Sequence, residues 1–230
     1  MQKLVVVDYG MGNLRSVAKA IEFVAREYSL PLQIAISSSP QDVANADRVV
    51  FPGQGAMPDC MRYLRESGLE KAVRESANSP TQAKPFFGIC VGMQMLFDIS
   101  EEGNASGDTP GLGIFAGTVK RFRPADKTLK VPHMGWNEVS QTSAHPLWHN
   151  IANAERFYFV HSYYCEPTEF ENVSEPNVPK ARKVTAAVAD YSQRFTAAIV
   201  RDNIFATQFH PEKSHHAGLT LYKNFLQWNP

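Results

Sequence analysis

Cys90 stands between two glycines in Phe87-Gly88-Ile89-Cys90-Val91-Gly92-Met93-Gln94, where a short apolar run meets a helical pattern. A thiol at that junction is placed as a nucleophile on a sharp strand-to-helix turn, and flanking glycines are needed where added Cβ atoms would crowd backbone and substrate. The positive end of a helix favours the thiolate, and the next amide, Val91 N–H, points where an oxyanion would form. A lone cysteine is more often a buried structural thiol, so the reading needs a partner. Gln208-Phe209-His210-Pro211-Glu212 supplies one. An extended backbone puts residues two apart on one face, and Pro211 disfavours helix at His210. Thiol, imidazole and carboxylate are the nucleophile, base and orienting group of covalent amide or ester hydrolysis.

Strand and helix signals alternate around these residues. Leu4 to Val7 is a β-branched apolar run; after Gly10, Gly12 and Asn13, residues Leu14, Val17, Ala18, Ile21 and Val24 recur at helical spacing. Leu32 to Ile36, Arg48 to Phe51 and Pro85 to Ile89 read as further strands, with helices over Met61 to Ser76 and Val91 to Asp98. That pattern is an α/β fold with a mostly parallel sheet flanked by helices, whose ligands sit beyond the carboxyl ends of the strands, where Gly53 and Cys90 fall. In the second half, Phe157 to Tyr164, Val184 to Asp190, Thr196 to Val200 and Ile204 to Phe209 read as antiparallel strands. Glu166 to Lys180, with three prolines, reads as an exposed loop, and Ala217 to Trp228 as a closing helix.

The 23 basic and 23 acidic residues of the 230 cancel, so no net field draws the chain to nucleic acid or to an anionic membrane. The opening apolar run is too short for a signal peptide or a span, which places the chain in the cytoplasm. Cys60, Cys90 and Cys165 form no CxxC pair, and Cys60 and Cys165 lack the glycine-flanked turn, so both read as passive thiols. His133, His145, His149, His161, His215 and His216 offer no ligand spacing for a metal, and no cofactor is expected.

GICVGMQ, HPEKS, DYGMGNLRSV, PGQGA and VPHMGWNEV, spread from Asp8 to Glu212, resemble the triad class-I glutamine amidotransferases, in particular the glutaminase subunits of imidazole glycerol phosphate synthase. The resemblance implies one glutamine amidotransferase type 1 domain over residues 1–230, with a flavodoxin-like sheet. It implies Cys90 as nucleophile, His210 as general base and acid, and Glu212 as its orienting carboxylate. Gly53, Gln54 and Val91 match the oxyanion hole, Gln54 replacing a small or aliphatic residue. Gly55, Gln94, Glu102, Ser162 and Tyr163 match the glutamine pocket, with Glu102 facing the α-ammonium. Asn13, Met134 and Trp136 match the face toward a second chain.

The implied reaction is hydrolysis of L-glutamine through a glutamyl thioester. Ammonia then passes to a separate (β/α)₈ cyclase subunit, in a heterodimer, that makes imidazole glycerol phosphate for histidine biosynthesis. The Gly53-Gln54 peptide is the expected two-state element, its plane turning over to present N–H or C=O to the oxyanion. A glutaminase serving another synthase of the class, or an inactive regulatory relative, are the alternatives; the second requires a broken triad.

Overall fold

A computed structural model describes residues 1–78, 84–104, 107–168 and 184–230. The chain opens with β1 (Gln2–Val7), α1 (Leu14–Glu27), β2 (Leu32–Ser37), α2 (Pro40–Ala44) and β3 (Arg48–Gly53). Two helices follow, α3 (Met57–Glu66) and α4 (Glu70–Ala77), then β4 (Phe86–Cys90) and the short α5 (Val91–Gln94). Next come β5 (Phe97–Asn104), β6 (Gly107–Pro110), β7 (Phe115–Arg121), β8 (His133–Gln141), β9 (Glu155–His161) and β10 (Tyr163–Pro167). The chain closes with β11 (Thr185–Tyr191), β12 (Gln193–Arg201), β13 (Ile204–Thr207) and α6 (His215–Gln227).

The strands β2-β1-β3-β4-β13 lie side by side and parallel. Beyond β13 the sheet turns antiparallel through β12, β10 and β7, with β11, β8 and β9 branching from β12. Leu4 to Val7, Val49 to Phe51 and Phe86-Phe87 are essentially inaccessible, which is why these strands read as continuous apolar runs rather than alternating ones. Helix α1 buries Val17, Ala18, Ile21, Val24 and Ala25, one stripe at helical spacing, and it packs beside α6. Burying each such Val or Ile contributes about 1.5–3 kcal/mol.

Several expected boundaries move. The helix read over Met61 to Ser76 is two, broken at Ser67 and Gly68, where Gly68 takes φ +72°. The helix expected from Val91 to Asp98 stops at Gln94, because Leu112 and Gly113 amides take the Met95 and Phe97 carbonyls and draw Phe97 into β5. The single strand read over Phe157 to Tyr164 divides at Ser162, whose carbonyl accepts from Phe122 N–H, and the two pieces pair with different neighbours. Glu166 and Pro167, read as loop, are paired with Thr118 and Gly117 of β7; residues 169–183 lie outside the described residues. No described helix is long and apolar enough to cross a membrane.

Candidate active site

Strands β3 and β4 end together, with Gly53 opposite Cys90 in register. Cys90 has φ 54° and ψ −111°, a region that a side-chain-bearing residue occupies only when its surroundings enforce it. The enforcement is close packing. A Cβ at Gly92 would collide with Phe51 O, and one at Gly88 would lie 2.9 Å from the Ala206 Cβ of β13. Gly53 is equally confined: its added Cβ would meet Gly92 N at 2.6 Å and Val91 Cβ at 2.8 Å. Its glycine is therefore required by the approach of the elbow, a reason additional to peptide rotation. Val91, first residue of α5, carries an amide for which the helix itself has no acceptor.

His210 follows β13 and is extended (φ −103°, ψ 99°), as Pro211 leads one to expect, but Pro211–Lys213 forms a 3₁₀ turn rather than continuing a strand. The turn, not strand alternation, brings Glu212 Oε1 to 2.9 Å from His210 Nδ1, with the two side chains 5 % and 1 % exposed. The turn is tied to β9. His210 N–H donates to Tyr158 O at 2.9 Å, and Ser214 Oγ donates to His210 O (2.6 Å) while accepting from Tyr158 N–H (3.0 Å). Burial alone would push the His210 imidazole down; the facing Cys90 thiolate and then Glu212 outweigh it and raise it to about 10. His210 Nε2 has no hydrogen-bond partner among the described residues.

A cavity of about 250 Å³ opens on Cys90, and Gln54, Gly55, Val91, Gln94, Glu102, Ser162, Tyr163 and His210 line it. The expected pocket residues thus converge from the loop after β3, from α5, from β5 and from the junction of β9 and β10. Glu102 accepts a hydrogen bond from Met57 N–H at 2.8 Å, and burial raises its carboxyl above the usual range. No ion pair to it exists among the described residues. Gln94 is 2 % exposed and its Nε2 donates to Tyr163 O (3.0 Å) and Gln208 Oε1 (3.1 Å), which leaves its Oε1 for a ligand. Behind the Gly53-Gln54 peptide, Tyr9 OH donates to Pro52 O (3.0 Å) and Cys60 Sγ to Gln54 O (3.4 Å). Sequence did not single out Tyr9 and left Cys60 a passive thiol; each lies on a different element from the loop it holds. Gln208, Pro132, Val160 and Lys213 at the site were likewise missed, although Gln208 and Lys213 flank the HPE segment.

Strand β8 carries the expected second-chain face. Met134 and Trp136 are 63 % and 45 % exposed, Trp136 stacking on His215 at 5.0 Å, while His133 between β8 and the core is buried. Asn13 is half-buried at the start of α1 without a side-chain cap, in the turn whose Gly12 approaches Pro52. His133 Nδ1 meets His161 Nε2 at 3.0 Å, and His161 Nδ1 meets Tyr163 O at 2.7 Å. A carbonyl only accepts, so His161 carries its proton on Nδ1 and accepts at Nε2 a hydrogen bond from His133 Nδ1–H.

Residues 5–228 match the class-I glutamine amidotransferase family. Curated relatives agree in length and name. The chain is 54% identical to the imidazole glycerol phosphate synthase subunit HisH of Nitrosospira multiformis, over 100% of both chains. It is 53% identical to the protein of the same name from Chromobacterium violaceum, over 99% of this chain and 98% of that one. Among solved structures, PurLQS from Thermotoga maritima superposes with a TM-score of 0.62 at 16% identity, covering 98% of each chain. A solved glutamine amidotransferase gives 0.61 at 16% identity, covering 97% of each chain. These last two share the fold. The chain belongs to the class-I glutamine amidotransferases and, within them, to the family of the imidazole glycerol phosphate synthase glutaminase subunits. It is an enzyme of the amidotransferase class.

Proposed function

We propose that the chain is the glutaminase subunit of imidazole glycerol phosphate synthase, with residues 1–230 forming one amidotransferase domain. The observation that carries the reading is Cys90 on its strained turn, facing a His210 imidazole that Glu212 holds at 2.9 Å. The Cys90 thiolate attacks the amide carbon of glutamine, and the oxyanion is met by Val91 N–H and by an amide of the Gly53-Gln54-Gly55 loop. As the C–N bond breaks, His210 gives its proton to the leaving ammonia. Water, deprotonated by His210, then cleaves the thioester and releases glutamate. Glu102, half-buried and paired with no cation among the described residues, receives the α-ammonium, and Gln94 Oε1, Ser162 and Tyr163 complete the pocket.

Ammonia is consumed by a second chain, a (β/α)₈ cyclase, in a cytoplasmic heterodimer; Asn13, Met134 and Trp136 face it. The Gly53-Gln54 peptide lies between two carbonyls anchored by Tyr9 and Cys60, so rotation there would leave its neighbours in place. Binding of the partner, loaded with the nucleotide substrate that its cyclase site takes, stabilises the orientation that donates to the oxyanion. Cys90→Ala in the assembled complex abolishes synthesis from glutamine and leaves synthesis from added ammonia intact. Loss of both, with the complex still assembled, contradicts this division of labour.

A further inference from the structure

We propose that Gln208 is a further catalytic residue, whose side-chain amide donates to the Cys90 sulfur and stabilises the attacking thiolate. The proposal rests on Cys90 being the nucleophile. Gln208 is fully buried just beyond β13; Thr207 pairs with Ile89, so the next residue on each strand is Gln208 and Cys90. Its Nε2 lies 3.7 Å from Cys90 Sγ. It does not line the cavity, so it reaches the sulfur from the protein side rather than through the substrate.

The orientation of that amide is dictated by a chain of acceptors. The Tyr163 carbonyl can only accept, so Gln94 must turn its NH₂ group toward it at 3.0 Å. The same NH₂ lies 3.1 Å from the Gln208 side chain, which must answer with its oxygen. Gln208 is left with its NH₂ toward Cys90. A group that can only donate at that position favours the thiolate over the thiol. It also spares His210, whose Nδ1 is committed to Glu212, from being the sole support of the anion. A change at Tyr163 or Gln94 on glutamine binding would reach the sulfur through the same two amides.

The test is alkylation of Cys90 by iodoacetamide against pH in the isolated chain, read by mass spectrometry so that Cys60 and Cys165 are scored separately. In Gln208→Met, the neutral-pH rate falls about tenfold and the midpoint of the profile moves to higher pH, as loss of one charge-assisted hydrogen bond requires. In the assembled complex kcat for glutamine falls while KM holds; the shifted alkylation midpoint, which a smaller folded fraction would not produce, separates this from loss of stability. A folded Gln208→Met with the wild-type alkylation profile overturns the proposal. Should that variant fail to fold, the Gln208 side-chain amide resonances of the wild type decide: they shift as Cys90 ionises or is capped, and their indifference to both overturns it. Alkylation needs neither glutamine nor a partner, so failure here leaves the amidotransferase reading standing, whereas glutamine turnover by Cys90→Ala would remove the nucleophile itself.

Discussion

His210 is a buried imidazole facing the Cys90 sulfur and Glu212, and its proton is correspondingly hard to remove. Its pKa, about 10 against an ordinary 6.5, means the imidazolium form is stabilised below pH 6.5 and that this stabilisation is lost as pH rises through 10. In Cys90→Ala the thiolate is gone, so the His210 midpoint falls; a histidine NMR titration that left it near 10 would remove Cys90 as the cause. His210→Ala should lower glutaminase turnover by roughly 10²–10⁴-fold, with Glu212→Gln milder because the imidazole keeps a hydrogen-bond acceptor. Wild-type kcat in folded His210→Ala would contradict the assignment. On the role proposed for Glu102 in holding the α-ammonium, Glu102→Gln raises KM for glutamine about 10- to 100-fold with kcat little changed. An unchanged KM would place the ammonium elsewhere.

At the scale of elements, the β3–β4 ends and the turn after Cys90 are packed so closely that Gly53 and Gly92 tolerate no Cβ. Gly53→Ala would therefore displace Val91 and Gly92 whether or not the Gly53-Gln54 peptide turns over, and it cannot isolate rotation. Tyr9→Phe is the cleaner perturbation, because it removes only the hydroxyl that holds Pro52 O. Expected is a change of roughly threefold to tenfold in the ratio of ligand-stimulated to unstimulated glutaminase, at constant KM. Equal ratios in the two proteins would mean that the anchored carbonyls play no part in the switch.

Across the whole molecule, the buried His133 and His161 and the half-buried His145 make the fold sensitive to mild acid. Burial depresses His133 to about 4, His145 to about 4 and His161 to about 3. The unfolded chain binds protons near pH 6.5 and the folded chain does not, so stability is present above 6.5 and is lost as pH falls toward 4 and 3. His210 has no slope in that window, being charged in both states below 6.5. Urea unfolding between pH 6.5 and 5 should show a loss of about 1 kcal/mol per pH unit for each of the three. A flat profile would mean that these imidazoles are already charged in the native state. His133 and His161 also join β8 to Tyr163 of the cavity, so the face proposed to meet a second chain and the proposed glutamine pocket share one hydrogen-bonded path.

The parallel strands and the elbow at Cys90 were legible because each depends on local chemistry, continuous β-branched runs and glycines flanking a cysteine; the His210–Glu212 pair was expected from an extended backbone, whereas a 3₁₀ turn makes it. The resemblance of five ordered motifs carried the pocket residues, whose convergence on one cavity no spacing could have given. What the sequence could not decide is whatever depends on partners distant in the chain. Helix propensity from Val91 onward is overridden at Phe97 because Leu112 and Gly113 compete for its carbonyls and those of Met95. Tyr9 and Cys60 gain a role only when the turn after β1 and helix α3 are laid against the end of β3 and the loop that follows it. Gln208 stood in plain view two residues before His210, yet its bearing on Cys90 exists only because β13 pairs with β4, 118 residues away along the chain. A side chain's type is fixed locally; the atom it faces is fixed by the sheet.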